Sequence, residues 1–179
     1  MRRLAATLVA LALVLLAPSP AHAGSTAKKD RDDTAGVLDL KKVTLQATGR
    51  KIVATWTTHD AWSEADLAGT AAAVSVDFRT GPNRVRGILV NATSGSLRAS
   101  VCTVRLSDFR ISQCSRMPLE RPSASSVRVT VPRAKIVKGA RSYRWHASST
   151  AQQGTAGCSA QICQDVLPQD RDAWYTWRP

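Results

Sequence analysis

The sequence predicts an all-β protein: an antiparallel β-sandwich of jelly-roll or immunoglobulin-like kind, with one short helical turn and two disulfides. Three observations predict it. Apolar and polar residues alternate in short segments, as Val74, Val76 and Phe78 do against Ser75, Asp77 and Arg79. Successive side chains of a strand point to opposite faces, so this alternation leaves one face to be buried. Turn signals such as Gly81-Pro82-Asn83 recur at the spacing of a sandwich or barrel. Finally, four cysteines follow an N-terminus that reads as an export signal, which fits an oxidising compartment.

The export signal comes first along the chain. Met1-Arg2-Arg3 is a charged start, Leu4 to Ala17 is apolar, and Pro18-Ser19-Pro20 breaks any helix. Ala21-His22-Ala23 then supplies small residues at the two positions a signal peptidase reads. Residues 1–23 are therefore expected to be a signal peptide cleaved after Ala23, with the remainder secreted to the extracellular side. The apolar run is shorter than the about 20 residues a membrane span needs, and no cysteine near the cut offers a lipid attachment.

Residues 24–34 read as a flexible leader, since Gly24 to Lys29 is small and polar; residues 35–179 read as one sandwich domain. Leu38 to Ala47 and Lys51 to Thr58 form a hairpin about Thr48-Gly49-Arg50. Ser63 caps a helical turn over Glu64 to Leu67, with Asp66 as the capping-box acid and Trp62 and Leu67 as a hydrophobic staple. Ala72 to Arg79, Arg84 to Asn91 and Leu97 to Leu106 follow as strands, joined by turns at Gly81-Pro82-Asn83 and Ala92 to Ser96. Phe109 to Gln113, Ser126 to Val131 and Ser142 to Ser149 complete the set. The cysteines allow three pairings. A hairpin centred on Asp108 would set Cys102 directly opposite Cys114, close enough for a bridge; Cys158 and Cys163 are then the second pair.

Charge and motifs narrow the function. The formal net charge is +12, or +10 once Arg2 and Arg3 are removed. The arginines are scattered and many alternate with apolar residues, as Arg128 does within Val127 to Val131, which describes a solvated sheet face. A polyanionic partner would use the same charge. No arginine cluster interleaves with stacking aromatics, so nucleic acid is not an expected partner. There is no G-x-S-x-G, H-E-x-x-H, P-loop or dinucleotide fingerprint. His59-Asp60 reads as a polar loop pair and His146 as a surface strand histidine. The expectation is a chain with no catalytic residues.

Two acid clusters stand out: Asp30, Asp32, Asp33 and Asp39 before and at the first strand, and Asp165, Asp170 and Asp172 after the last cysteine. Both read as solvated turn acids. No cofactor is expected; calcium takes several oxygen ligands from loops, and either cluster could donate them to a structural calcium ion, while the metal itself is unassigned. Among the tryptophans, Trp56 and Trp145 fall on apolar parities and belong to the core. Trp62, Trp174, Tyr175 and Trp177 are the ligand-binding candidates. The last three either pin a terminal strand or stack on sugar faces, where an aromatic combines apolar area with a polar edge.

The segments DRDDTAGVLDL, TTHDAWSEADL, VSVDFRTG, VTVPRAKI, YRWHASST and CSAQICQDVLPQD occur in this order between Asp30 and Asp172. Together they resemble a group of secreted bacterial sandwich proteins similar to the family 9 carbohydrate-binding modules and DOMON-like domains. The resemblance implies a sandwich that binds a ligand without catalysis, with aromatic rings clamping a sugar and calcium bracing loops. The expected protein is thus a secreted, monomeric, non-catalytic binding module for an extracellular carbohydrate or cell-wall polymer. The alternative is a structural or protein-interaction domain of the cell surface with no sugar affinity.

Overall fold

The computed structural model describes residues 24–108, 110–170 and 172–179; the signal-peptide reading of residues 1–23 lies outside the described residues. The strands are β1 (Ser25–Lys29), β2 (Leu40–Thr48), β3 (Lys51–Thr58), β4 (Ala73–Gly81), β5 (Arg84–Thr93) and β6 (Ser96–Arg105). They continue with β7 (Arg110–Met117), β8 (Leu119–Ser123), β9 (Ser126–Pro132), β10 (Tyr143–Gln152), β11 (Ile162–Leu167) and β12 (Tyr175–Trp177). One sheet runs β1-β2-β3-β9-β8; the other runs β11-β10-β4-β5-β6-β7, with β12 also paired to β10. All these strand pairs are antiparallel, so the chain is the expected β-sandwich.

The alternation in the sequence explains the core. Val43 and Leu45 of β2, Ile52, Ala54 and Trp56 of β3, and Val127, Val129 and Val131 of β9 turn inward from the first sheet. Val74, Val76 and Phe78 of β4, Ile88 and Val90 of β5, and Tyr143, Trp145 and Ala147 of β10 meet them from the second, forming one buried cluster. Trp56 joins the two layers, because its Nε1–H donates to the Ser75 carbonyl at 2.9 Å. An unmet buried donor costs about 1–3 kcal/mol, so Trp56 avoids a cost that the buried Nε1 atoms of Trp62, Trp145 and Trp177, which have no hydrogen-bond partner, do not.

The expected helical turn is a 3-10 turn, Glu64–Leu67, in which the Asp66 carboxylate accepts from the Ser63 N–H at 2.7 Å and from the Ser63 hydroxyl at 2.9 Å. A second, four-residue helix, α1 (Arg133–Ile136), was not signalled by any apolar period. The hairpin between β2 and β3 turns at Gly49 and Arg50, with Thr48 opposite Lys51. Gly49 takes φ of +57° there, a left-handed conformation that glycine adopts without steric cost.

Three expectations need correction. Ser25–Lys29, expected as a frayed leader, is an edge strand in register with Lys42 to Gln46; backbone pairing holds it although its side chains alternate no apolar face. Leu119–Ser123 and Ile162–Leu167 are strands that the pattern did not signal. β8 contains Pro122, which is tolerated because the strand lies at a sheet edge. The bridge Cys102–Cys114 is present, with Cys158–Cys163 as the second. Its hairpin is not regular, however: the register shifts between Val101 and Thr103, and Gln113 has φ of +51°. That extra residue is a β-bulge.

Candidate functional site

The outer face of the second sheet carries a groove of about 660 Å³. Its position follows from strand parity. On β4, β5, β6, β10 and β11 the residues that do not enter the core face outward, and most of those near the groove are not simply charged. Val85, Val104, Leu106 and Val166 give it an apolar floor, and Val85 is buried although it faces away from the core. Asp77, Arg79, His146, Ser148, Gln164 and Asp172 supply polar groups around that floor. Trp174, carried by the segment that leads into β12, forms one wall.

Two of the groove's groups are held firmly. His146 of β10 lies opposite Asp77 of β4, and its Nε2–H donates to Asp77 Oδ2 at 3.0 Å. Both side chains are about one-fifth exposed (18% and 19%). The imidazole stacks on the Trp174 indole with ring centres 4.3 Å apart and planes 9° from parallel. The Arg79 guanidinium lies 5.6 Å from the same indole centre, within the range of cation–π attraction. Beneath Asp77 is Gly87, its partner on β5. A Cβ at Gly87 would stand 2.5 Å from Asp77 Oδ1, so the absence of a side chain there makes room for the carboxylate.

His146 has an acid for a partner and, among the described residues, no hydroxyl or thiol. The nearest candidate on the same strand face, Ser148, shares its hydroxyl with Ser75 at 2.9 Å. The groove therefore presents fixed hydrogen-bonding groups and an aromatic wall.

A second constellation lies at the edge of the sandwich, where the two acid clusters of the sequence meet. Asp165 projects inward from β11, on the parity of Leu167, and its Oδ2 accepts from the Leu40 N–H at 2.8 Å. Asp39 Oδ2 accepts from the amides of Asp33 at 3.0 Å and Thr34 at 3.3 Å. Asp33 in turn accepts from the Gln169 side chain. One carboxylate oxygen each from Asp33, Asp39 and Asp165 lie within 4.8 Å of one another.

Crowding of these acids has electrostatic consequences. Burial pushes the Asp165 carboxyl up to about 7, and the fields of Asp30 and Asp39 add to that against the Leu40 hydrogen bond. Burial likewise raises Asp30 and Asp39 above the ordinary carboxylate value. The loop that carries Asp33 is positioned by the chain on the far side of the second disulfide: the Val37 N–H donates to the Ala156 carbonyl at 2.9 Å. Gly36, at φ of +110°, lets that carbonyl approach, since a Cβ would sit 2.3 Å from it.

The structure separates the aromatic candidates. Trp62 and Trp177 are 6% and 3% exposed and belong to the core cluster, which corrects the expectation that their faces could take a ligand. The Arg121 guanidinium also covers the Trp62 ring at 3.7 Å. Trp177 packs on Tyr143 at 5.5 Å. Tyr175 is half-buried, set against Trp145 at 5.1 Å with Lys28 Nζ over its ring at 4.5 Å. Of the four, Trp174 alone lines the groove. Asp165 is buried, not a solvated turn acid. His146, expected as a surface strand histidine, is partly buried, bonded to Asp77 and stacked on Trp174. The signal that was available was Gly87: a glycine inside a strand marks close approach by a neighbour.

Among the described residues no helix is long and apolar enough to cross a membrane. Comparison with protein-family models, with curated proteins and with solved structures gives no match for this chain.

Proposed function

We propose that this chain is an exported, non-catalytic binding module for an extracellular carbohydrate or cell-wall polymer, and that the ligand lies along the groove beside Trp174. The observation that carries the reading is the composition of that groove: an apolar floor, an aromatic wall and a ring of hydrogen-bonding groups of both polarities. A sugar ring has the complementary surface, with C–H faces and hydroxyl edges, and Asp77 and Arg79 would accept from and donate to those hydroxyls. Export and removal of residues 1–23 are part of the proposal; the two disulfides support it, since such bonds persist in oxidising compartments.

The test is retention of the purified chain on insoluble and immobilised polysaccharides, including bacterial cell walls, at low and high salt. Salt-resistant retention on one polymer, lost in Trp174→Ala and weakened in Asp77→Asn, is the expected result. Retention that disappears in salt and survives Trp174→Ala would instead assign binding to the arginine-rich surface.

A second reading, a protein-interaction domain without sugar affinity, is favoured by a different observation. Ile111 and Ile162 are each 53% exposed and sit on β7 and β11, the two edges of the same sheet. Unpaired strand edges with apolar side chains are surfaces on which another chain can add a strand. Failure to bind any polymer, together with self-association abolished by Ile111→Lys, would select this reading.

A further inference from the structure

We propose that Asp33, Asp39 and Asp165 bind a calcium ion that fastens the loop preceding β2 to β11 across the edge of the sandwich. The inference does not depend on what the groove binds. One carboxylate oxygen from each of the three residues falls within 4.8 Å of the others. Calcium–oxygen distances are about 2.3–2.6 Å, so oxygens sharing one ion lie no more than about 5 Å apart, and this set meets that limit.

A cluster of acids alone would not carry the proposal. Asp39 supplies a further, independent observation. It is 2% exposed; Oδ2 is committed to two backbone amides, while Oδ1 is buried and receives no N–H donor. Asp30, which adds its field to Asp165, also has a buried Oδ2 without a partner. A buried, unpartnered carboxylate oxygen is costly unless charge compensates it. Among the described residues the side-chain ion pairs are Arg105–Asp108, Arg128–Glu120 and His146–Asp77, and none reaches this group. A cation supplies the missing charge.

The chemistry selects calcium over magnesium. Asp39 and Asp165 are 2% and 3% exposed, so an ion held by both gives up most of its water. Magnesium dehydrates reluctantly and keeps several waters, whereas calcium accepts carboxylates in irregular geometry and either one-oxygen or two-oxygen contact. The three aspartates provide at least one oxygen each, and solvent beside the exposed Asp33 would supply the rest of the shell.

The experiment strips the purified chain with EDTA, then titrates CaCl2 and MgCl2 by calorimetry in physiological salt and follows thermal unfolding in parallel. One calcium per chain is expected, with Kd of about 10⁻⁴ to 10⁻³ M. A hundredfold excess over Kd should raise Tm by about 5–10 °C, reversibly with EDTA. Asp165→Asn should lower the affinity at least about tenfold by removing a charged ligand. Asp33→Asn should do the same, and because Asp33 is exposed it keeps the test open should the buried substitution prevent folding. No heat and no change in Tm up to about 10 mM calcium, well above the weakest expected Kd, would overturn the proposal. So would undiminished calcium binding in both variants, and an equal response to magnesium would overturn the choice of ion.

Discussion

Replacing Asp165 by asparagine should make the metal-free protein more stable at neutral and alkaline pH, although it removes a residue held by a good hydrogen bond. The Asp165 carboxyl is pushed up to about 7 by burial and by its acidic neighbours, while its ordinary value is 3.8. In the folded chain it therefore keeps a proton that the unfolded chain has already lost. An acid raised in this way contributes stability that is fully present below pH 3.8 and is lost as pH rises through 7. Each pH unit of that window is worth about 1.4 kcal/mol, so the loss is about 4 kcal/mol at most. Asparagine has nothing to ionise and can still accept from the Leu40 N–H, so its stability should not fall through this window. Its amide brings a fixed cost for an unmet donor, which shifts the whole curve without altering its slope. The assay is guanidinium unfolding followed by tryptophan fluorescence in EDTA, from pH 4 to pH 8. The stability of Asp165→Asn relative to the native sequence should climb by up to about 4 kcal/mol across that range, most of it complete by pH 7. Two curves that stay parallel within about 0.5 kcal/mol would refute the reasoning, because Asp165 would then titrate alike in both states.

Three further outcomes follow from particular contacts. Gly87→Ala places a Cβ 2.5 Å from Asp77 Oδ1, so it should displace the carboxylate, change the ring resonances of His146 in NMR spectra and cost about 1–3 kcal/mol, as overpacking does. Unaltered His146 resonances would count against the stacked arrangement. Trp56→Phe removes the 2.9 Å bond from the indole to the Ser75 carbonyl that joins the sheets; chemical denaturation should show a loss of about 1–3 kcal/mol. Serine replacement of Cys102 and Cys114, which are 12 residues apart, should cost about 3 kcal/mol. Replacement of Cys158 and Cys163, 5 apart, should cost about 2 kcal/mol, since a shorter loop constrains the unfolded chain less. Denaturation of the two double variants checks the order. The second pair should also raise amide exchange at Val37, whose N–H bonds to Ala156 in the adjacent loop.

How much was legible depends on the range of the physics involved. Alternation of Val74, Val76 and Phe78, or of Ile52, Ala54 and Trp56, is a property of neighbours in the chain, and it named the core faces of β3 and β4 correctly. The turn at Gly49 and the cap at Ser63 and Asp66 are local as well. The pairing of Cys102 with Cys114 was readable because a hairpin is a short-range structure; the bulge at Gln113 that carries it was not, since local alternation does not register one extra residue. Strands β1, β8 and β11 are edges without a clear apolar alternation and escaped, whereas the edge strand β7 was found from the hairpin that pairs Cys102 with Cys114. An edge strand is held by backbone hydrogen bonds to one neighbour, and backbone groups are the same in every residue.

The sequence by itself determined the class of the protein: short strands with one buried parity, turns at sandwich spacing and two cysteine pairs, each dictated by residues a few positions apart. What the tertiary structure decided was every meeting between distant segments. It brought Asp165 to the Leu40 amide across 125 residues, setting it with Asp39 as a buried pair drawn from two acid clusters that looked like solvated turns. It set β10 beside β4, so that His146 reached Asp77 and Trp174 stacked on the imidazole. It also took Trp62 and Trp177 out of the list of binding residues by burying them. Sheet order makes these encounters, and sheet order is chosen by how the two apolar faces pack together, a property of the whole chain that no local window of residues contains.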